Sequence, residues 1–359
     1  MGKQSDFIVT VNIKLSGATL STVTLIVAPS ARSAPRLGLI YAGLVMALCA
    51  AMLGSLTLGY RLYGLDQVWQ ALFAFDNSET AVVISNLRLP RAVIAPMVGA
   101  GLAIAGVLVQ TLSRNRIASP DTLGLNAGAS LAVVLASSVL GIGSLIGLSM
   151  AAAVGALLTS LLVFAIAASA GGLSPIRIVL VGVTFAGLGH SLVEVILTTN
   201  EAQLQQLLFW LSGAFVDRPM ALAQAGGPIL LVGAVIAMAL ARPLDALQAD
   251  DTTATSIGVP LVMVRGASFL SVSLLTGASV AMAGPVGFVG LVVPHAARRL
   301  VGLRHDRLIP TAALIGAIYT TIADIGARFV IYPVEAPVGA ITAVVGGVVL
   351  LVLLKRRAA

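Results

Sequence analysis

Apolar runs at 37–60, 92–113, 178–198, 224–241, 266–282, 308–323 and 338–354, uncharged except for Glu194, dominate this chain. Each is near or within the roughly 17–25 residues that carry a helix across a bilayer. The stretch 122–176 is equally uncharged but too long for one crossing. Gly141-Ile142-Gly143-Ser144 splits it in two, and Gly171-Gly172-Leu173-Ser174-Pro175 closes the second part. After 266–282, the Gly and Pro of 283–287 break the helix and 288–297 begins a return. The pattern therefore predicts about ten membrane helices and an all-α polytopic fold over 37–359. Residues 1–36 hold Lys3, Lys14, Arg32 and Arg36 with an apolar run only at 18–28, too short to span. They predict a loosely ordered cytoplasmic tail. The polar stretch after the first span, with Trp69, Phe73 and Phe75, and the mixed stretch 200–222 predict interfacial segments.

The longest polar run between these spans in the middle of the chain is 242–260, RPLDALQADDTTATSIGVP. Hydrocarbon cannot solvate its carboxylates and hydroxyls, so it lies in water at a membrane face. Leu244, Leu247, Ala254 and Ile257 fall at spacings that suggest one or two short amphipathic helices, ended by Gly258-Val259-Pro260. With Asp250 and Asp251, they form either a solvated loop or a docking surface for a soluble partner.

Charge sets the orientation. With both termini inside, only Arg61, Arg88, Arg91, Arg218 and Arg328 fall outside, leaving 16 of the 21 Lys and Arg on the cytoplasmic side. Lysine and arginine are retained on that side during insertion. The 242–260 hinge is then cytoplasmic. Composition agrees, with 58% hydrophobic and 10% charged residues against the quarter charged of a soluble domain. The net charge of +7 is spread over helix ends, a topology signal and not a nucleic-acid surface. Residues 98–109 (VGAGLAIAGVLV) and 275–286 (LTGASVAMAGPV) share a small-residue rhythm on helices of opposite direction, the mark of an inverted repeat.

Little encodes covalent chemistry. No G-x-x-x-x-G-K-[ST] phosphate loop and no G-x-S-x-G elbow occurs, Cys49 stands alone, and His190, His295 and His305 have no metal-ligand spacing. An enzyme is not expected, nor a metal site or a cofactor. Asp324 has Arg328 four residues on, a local pair near the outer surface. Glu194 is interfacial, and His190 is a packing or pore-wall residue. Arg88, Arg91 and Arg328 run against the charge bias. They are either solvated helix ends or forks for a carboxylate-bearing outer partner.

Five ordered motifs resemble a known family. They are Arg88-Leu89-Pro90-Arg91, 99–110 (GAGLAIAGVLVQ), 119–130 (SPDTLGLNAGAS), 284–295 (GPVGFVGLVVPH) with Arg298, and Ala323-Asp324 with Arg328. They are similar to the FecCD-type permeases of binding-protein-dependent ABC importers for iron chelates, haem and cobalamin, from about residue 40 to the C-terminus. The resemblance implies a type II importer permease in the cell inner membrane, pairing with a second permease subunit as a homo- or heterodimer. It implies a cytoplasmic ABC ATPase dimer docked on 244–259, through Leu244, Leu247, Asp250, Asp251, Ala254, Ile257 and Gly258. It also implies an extracytoplasmic substrate-binding protein docked on Arg88, Arg91 and Arg328. The helix 178–198 matches the family's pore-lining helix, so Val183, Gly187, His190 and Glu194 are expected along the pathway. The substrate expected is a ferric siderophore or ferric citrate; the competing class is an ion-coupled secondary transporter. The chain departs from the family pattern at Arg116 (usually Pro), at Ala249-Asp250 (usually Gly-Glu) and around Val348 (usually Pro).

Overall fold

The computed structural model describes residues 8–13, 21–26, 34–74, 78–169, 174–199, 207–208, 210–248, 250–331 and 334–355. The expected turn at 171–173, most of 200–209, Phe75, Ala249, Pro333 and the basic residues Lys3, Lys14, Arg32, Arg356 and Arg357 lie outside them. Contacts divide the chain into Met1–Ile40 and Tyr41–Ala359.

In the first unit, β1 (Ile8–Ile13) pairs antiparallel with β2 (Ser21–Ile26), Thr10 opposite Thr24 and Val11 opposite Val23. Alternating Val, Thr and Ile suit a pleated ribbon. Within the expected tail, these described residues therefore pair as two strands.

The second unit is helical. It contains most of α1 (Ala34–Thr57), then α2 (Leu65–Phe73), α3 (Glu79–Val83) and α4 (Leu89–Leu112). A 3-10 turn (Pro120–Leu123) leads to α5 (Leu125–Ser138), α6 (Leu145–Ser169), α7 (Pro175–Thr199) and α8 (Met220–Ala239). The short α9 (Ala241–Leu247) and α10 (Asp251–Ser256) precede α11 (Leu261–Ala283), α12 (Val289–Val301), α13 (His305–Val330) and α14 (Val338–Lys355). Among the described residues seven helices are long and apolar enough to cross a membrane; α5, α12 and α14 are shorter.

The second apolar segment begins earlier than the charge pattern suggested. Glu79–Leu112 is one continuous helix, with a π-turn at Ile84–Arg88. Pro90 has no N–H for the carbonyl four residues back, and the ladder widens so that Leu89 N–H donates to Ile84 O. The two arginines flanking Pro90 stay inside the helix because both find buried partners, described below.

Helix α4 is the centre of the bundle: nearly all of its side chains are buried, whereas those of α1 are mostly exposed. It is apolar on every side and rich in Gly and Ala, which lets neighbouring backbones approach. It packs most extensively against α13. The two run antiparallel, since Arg91 meets Asp324, Gly99 meets Gly316 and Thr111 meets His305. A Cβ on Gly99 would lie 2.2 Å from Gly316 O, and one on Gly316 would lie 2.3 Å from Gly99 O, so the crossing is backbone on backbone. Thr320 Oγ1 donates across it to Ala95 O at 2.7 Å. Helix α11 also packs on α4, with Gly101 against Ser279 and Leu275. The two rhythmic segments noted in the sequence are therefore in contact. The break between α11 and α12 turns on Gly284, whose φ of +74° and extended ψ only glycine adopts readily. There Ala214 N–H donates to Ala283 O at 2.9 Å.

Candidate functional site

The α4–α13 pair carries a polar cluster at each end, separated by roughly 36 Å, the length of a 24-residue helix at about 1.5 Å per residue.

At the first end lie Arg88, Arg91 and Arg328, and none of them is a free fork. Each is less than a tenth exposed. Arg88 Nη1 donates to Leu56 O (2.8 Å) and Thr57 O (2.9 Å), its Nη2 donates to Arg61 O, and its guanidinium stacks over Tyr63. Arg328 Nη1 donates to Ser55 O (2.7 Å) and Leu58 O (2.8 Å), and its Nη2 to Ser55 Oγ. The last carbonyls of a helix lack intrahelical donors and carry partial negative charge. Helix α1 has no basic residue in its own last turn, so two arginines from other helices cap it. This capping fastens the end of a helix that is otherwise barely packed.

Asp324 joins the arginines. It is fully buried, accepts from Arg91 Nη2 through Oδ1 (2.7 Å) and from Arg328 Nη2 through Oδ2 (2.5 Å). The sequence suggested a local pair with Arg328 near the outer surface; the pair exists, and it is buried and shared with Arg91, 233 positions away. Arg91 Nη1 also holds both oxygens of Glu335, at 3.0 and 2.7 Å. The Glu335 side chain is 34% exposed, which makes it the accessible member of the cluster.

At the second end the hinge folds as α9 and α10. Their apolar positions face inward: Leu244, Leu247 and Ala254 are all buried in the chain's own core. They anchor the hinge and are not available as contacts, because an amphipathic helix buries its apolar stripe against the body it lies on. Asp250 caps α10, accepting from Thr252 Oγ1 and from Thr253 N–H, and these bonds pull its carboxyl down to about 2. Asp251 is tied to two other helices' ends, accepting from Arg114 Nη2 (2.5 Å) and Arg265 Nη2 (2.8 Å). What α10 exposes is Thr252, Thr253, Thr255 and Ser256, followed by Ile257, 66% exposed, and Gly258 at φ +83°. Beside it Asp245 accepts from the backbone N–H (2.8 Å) and Nδ1 (2.6 Å) of buried His305, whose Nε2 meets Thr111 Oγ1.

Between the ends, Val183, Gly187, His190 and Glu194 lie on one exposed stripe of α7, at steps of four, three and four residues. Thr184 and Ser191 are exposed beside them, while Gly182, Gly189 and Val193 pack inward. A spanning helix that exposes imidazole, carboxylate and hydroxyls is poorly suited to hydrocarbon on that face, so the stripe suits water or another protein.

The sequence reading did not single out Ser55, Glu335, Gln110 or Thr111. Their partners lie far away along the chain, and no local spacing announces them. Among the described residues no group of three or more His, Cys, Asp and Glu could hold a metal ion.

The family model for the FecCD transport family matches residues 45–356. The chain belongs to the FecCD transport family. It is 38% identical to the Fe(3+)-citrate import system permease protein YfmD of Bacillus subtilis, over 77% of this chain and 82% of that one. It is 35% identical to the ferric enterobactin transport system permease protein FepD of Escherichia coli, over 88% and 94%. The solved structure of a metal-chelate type ABC transporter in an inward-facing conformation superposes with a TM-score of 0.78. The match has 30% identity and covers 89% of this chain and 99% of that one. This FecCD member is thus a multi-pass membrane permease with the type II importer architecture.

Proposed function

We propose that this FecCD permease carries a ferric chelate of the siderophore or citrate class through the inner membrane. A separate ABC ATPase drives it, and an extracytoplasmic binding protein supplies it. The substrate class follows from what the relatives transport by name. The positive-inside bias puts the hinge end and both termini in the cytoplasm. A second permease subunit, identical or not, would close the pathway along the exposed α7 stripe of Val183, Gly187, His190 and Glu194.

The observation that carries the coupling reading is the position of Asp251. It sits on α10, whose outer face is exposed, and it grips the ends of α4 and α11 through Arg114 and Arg265. A push on α10 therefore reaches the central helix directly. The ATPase contact surface is the exposed ridge of Asp250, Thr252, Thr253, Thr255, Ser256, Ile257 and Gly258, with Leu244, Leu247 and Ala254 as its footing. At the other end Arg88 and Arg328 act as caps for α1. Arg91 is the docking fork within reach, where a partner carboxylate displaces the one-third exposed Glu335.

The reaction is transport without covalent change. The ATPase and the binding protein act only through their different fit to the two exposures of the cavity. Energy supply tests the reading. Uptake of labelled ferric chelate by cells depending on this chain should survive an uncoupler while ATP is maintained, and stop when ATP is depleted. Uptake that collapses with the proton gradient at constant ATP identifies an ion-coupled transporter and refutes the proposal.

A further inference from the structure

Beside the hinge lies a cavity of about 230 Å³, lined by Gln110, Thr111, Arg114, Arg116, Gln248, Arg298 and Leu303. It is far above the about 10–15 Å³ that one water needs. Three of its seven lining residues are arginines and none is acidic. Its neutral polar groups are already committed. Gln110 Nε2 donates to Gly290 O and Leu291 O, and Gln110 Oε1 accepts from Arg298 Nη1. Thr111 Oγ1 donates to Val107 O, and Gln248 Nε2 donates to Leu303 O.

The arginines are not so well matched. Arg114 is held by Asp251, but among the described residues neither Arg116 nor Arg298 has an ion-pair partner. Arg298 is partly buried, and its pKa is pushed down to about 10, first by burial and then by the charge of Arg116. The cavity is therefore rich in donors, poor in acceptors and internally repulsive. An oxyanion reverses all three conditions.

We infer that this cavity is a binding site for a phosphate-type oxyanion, either a phospholipid headgroup at the membrane face or free phosphate. A tetrahedral anion offers enough oxygens for several guanidinium forks, whereas one carboxylate matches a single fork. The occupant bridges the end of α4, the end of α12 and the Gln248 turn that leads into α10. It pins the hinge to the bundle. The assignment rests on this chain's own side chains, and its test needs no transport.

The test uses the full-length chain in phosphatidylcholine nanodiscs. One arm adds inorganic phosphate against chloride at matched ionic strength and follows the melting midpoint. The other replaces part of the lipid with phosphatidylglycerol and counts retained lipid by native mass spectrometry. Wild type should be stabilised by phosphate, or should retain phosphatidylglycerol, or both; the responding arm names the source. Arg116→Ala is the cleanest variant, because Arg116 is exposed and supports no other contact described. It should weaken binding about tenfold or more, as expected for losing a charge-assisted hydrogen bond. Arg298→Gln should act likewise. Arg242→Ala, the same loss of charge on α9 outside the cavity, should leave binding unchanged. The inference is overturned if wild type responds to neither probe, or if Arg242→Ala weakens binding as much as Arg116→Ala. It is also overturned if the cavity is occupied only by an acidic segment of an assembled protein partner.

Discussion

Replacing Asp324 by Asn is expected to destabilise the permease by about 3–5 kcal/mol, the usual result of breaking a buried pair from one side. Asp324 is completely buried and its two oxygens serve two different arginines. An amide supplies one acceptor, and turns its NH₂ donors toward the other guanidinium. Glu335→Gln removes a second carboxylate from the same cluster, but this side chain is one-third exposed. Water screens its charge, and the expected loss is about 0–1 kcal/mol. The contrast between the two variants is the prediction, read as melting midpoints in one detergent. Equal midpoints for both would show that the cluster is solvated and that α1 is fastened in some other way. Because Arg328 and Arg88 together cap α1, Asp324→Asn should also expose the 55–61 region to proteolysis or labelling.

The second large effect belongs to the hinge. Ala254 N–H donates to Asp250 O at 3.1 Å, and the Ala254 side chain is fully buried. Ala254→Pro removes that bond and adds bulk beneath α10, a disruption of about 3 kcal/mol in a helix interior. Uptake should be abolished, while the chain still inserts, because this segment lies outside the spans. Ile257→Ala is the finer probe. Ile257 is 66% exposed and supports nothing inside the chain, so its loss should lower coupled uptake several-fold with an unchanged melting midpoint. Wild-type uptake in both variants would remove the hinge from the mechanism.

Most of the bundle was legible because the bilayer makes element length and charge decisive. The interruptions at Gly141–Ser144 and around Gly284, the boundaries of α6 and α14, and the end of α11 follow from apolar run length and from Gly and Pro; α11 starts at Leu261, ahead of the expected 266, because it runs through Arg265. The start of the α4 segment was not legible. Charge at Arg88 and Arg91 argued for a helix end, whereas tertiary partners allowed the helix to run through them. The same cause misplaced the three arginines and Asp324. Residue type and spacing show that a charge exists, but burial depends on partners about 30 positions away for Arg88 and more than 200 away for Arg91 and Arg328. The short helices expected in 242–260 are present, with Leu244, Leu247 and Ala254 on their buried side. An amphipathic pattern tells which residues share a face, but not which face meets the partner. At the N-terminus, Val and Thr alternation over 8–13 and 21–26 was the available sign of the hairpin.

Central to this account is a permease that supplies the pathway while a separate subunit supplies the force through α10. Reconstitution in proteoliposomes tests that most directly, with the labelled ferric chelate and the binding protein on one side and ATP on the other. The account predicts accumulation against a gradient only when the ATPase subunit is present and hydrolysing, and none from the permease alone. Uphill accumulation by the permease without any nucleotide-hydrolysing subunit would contradict it.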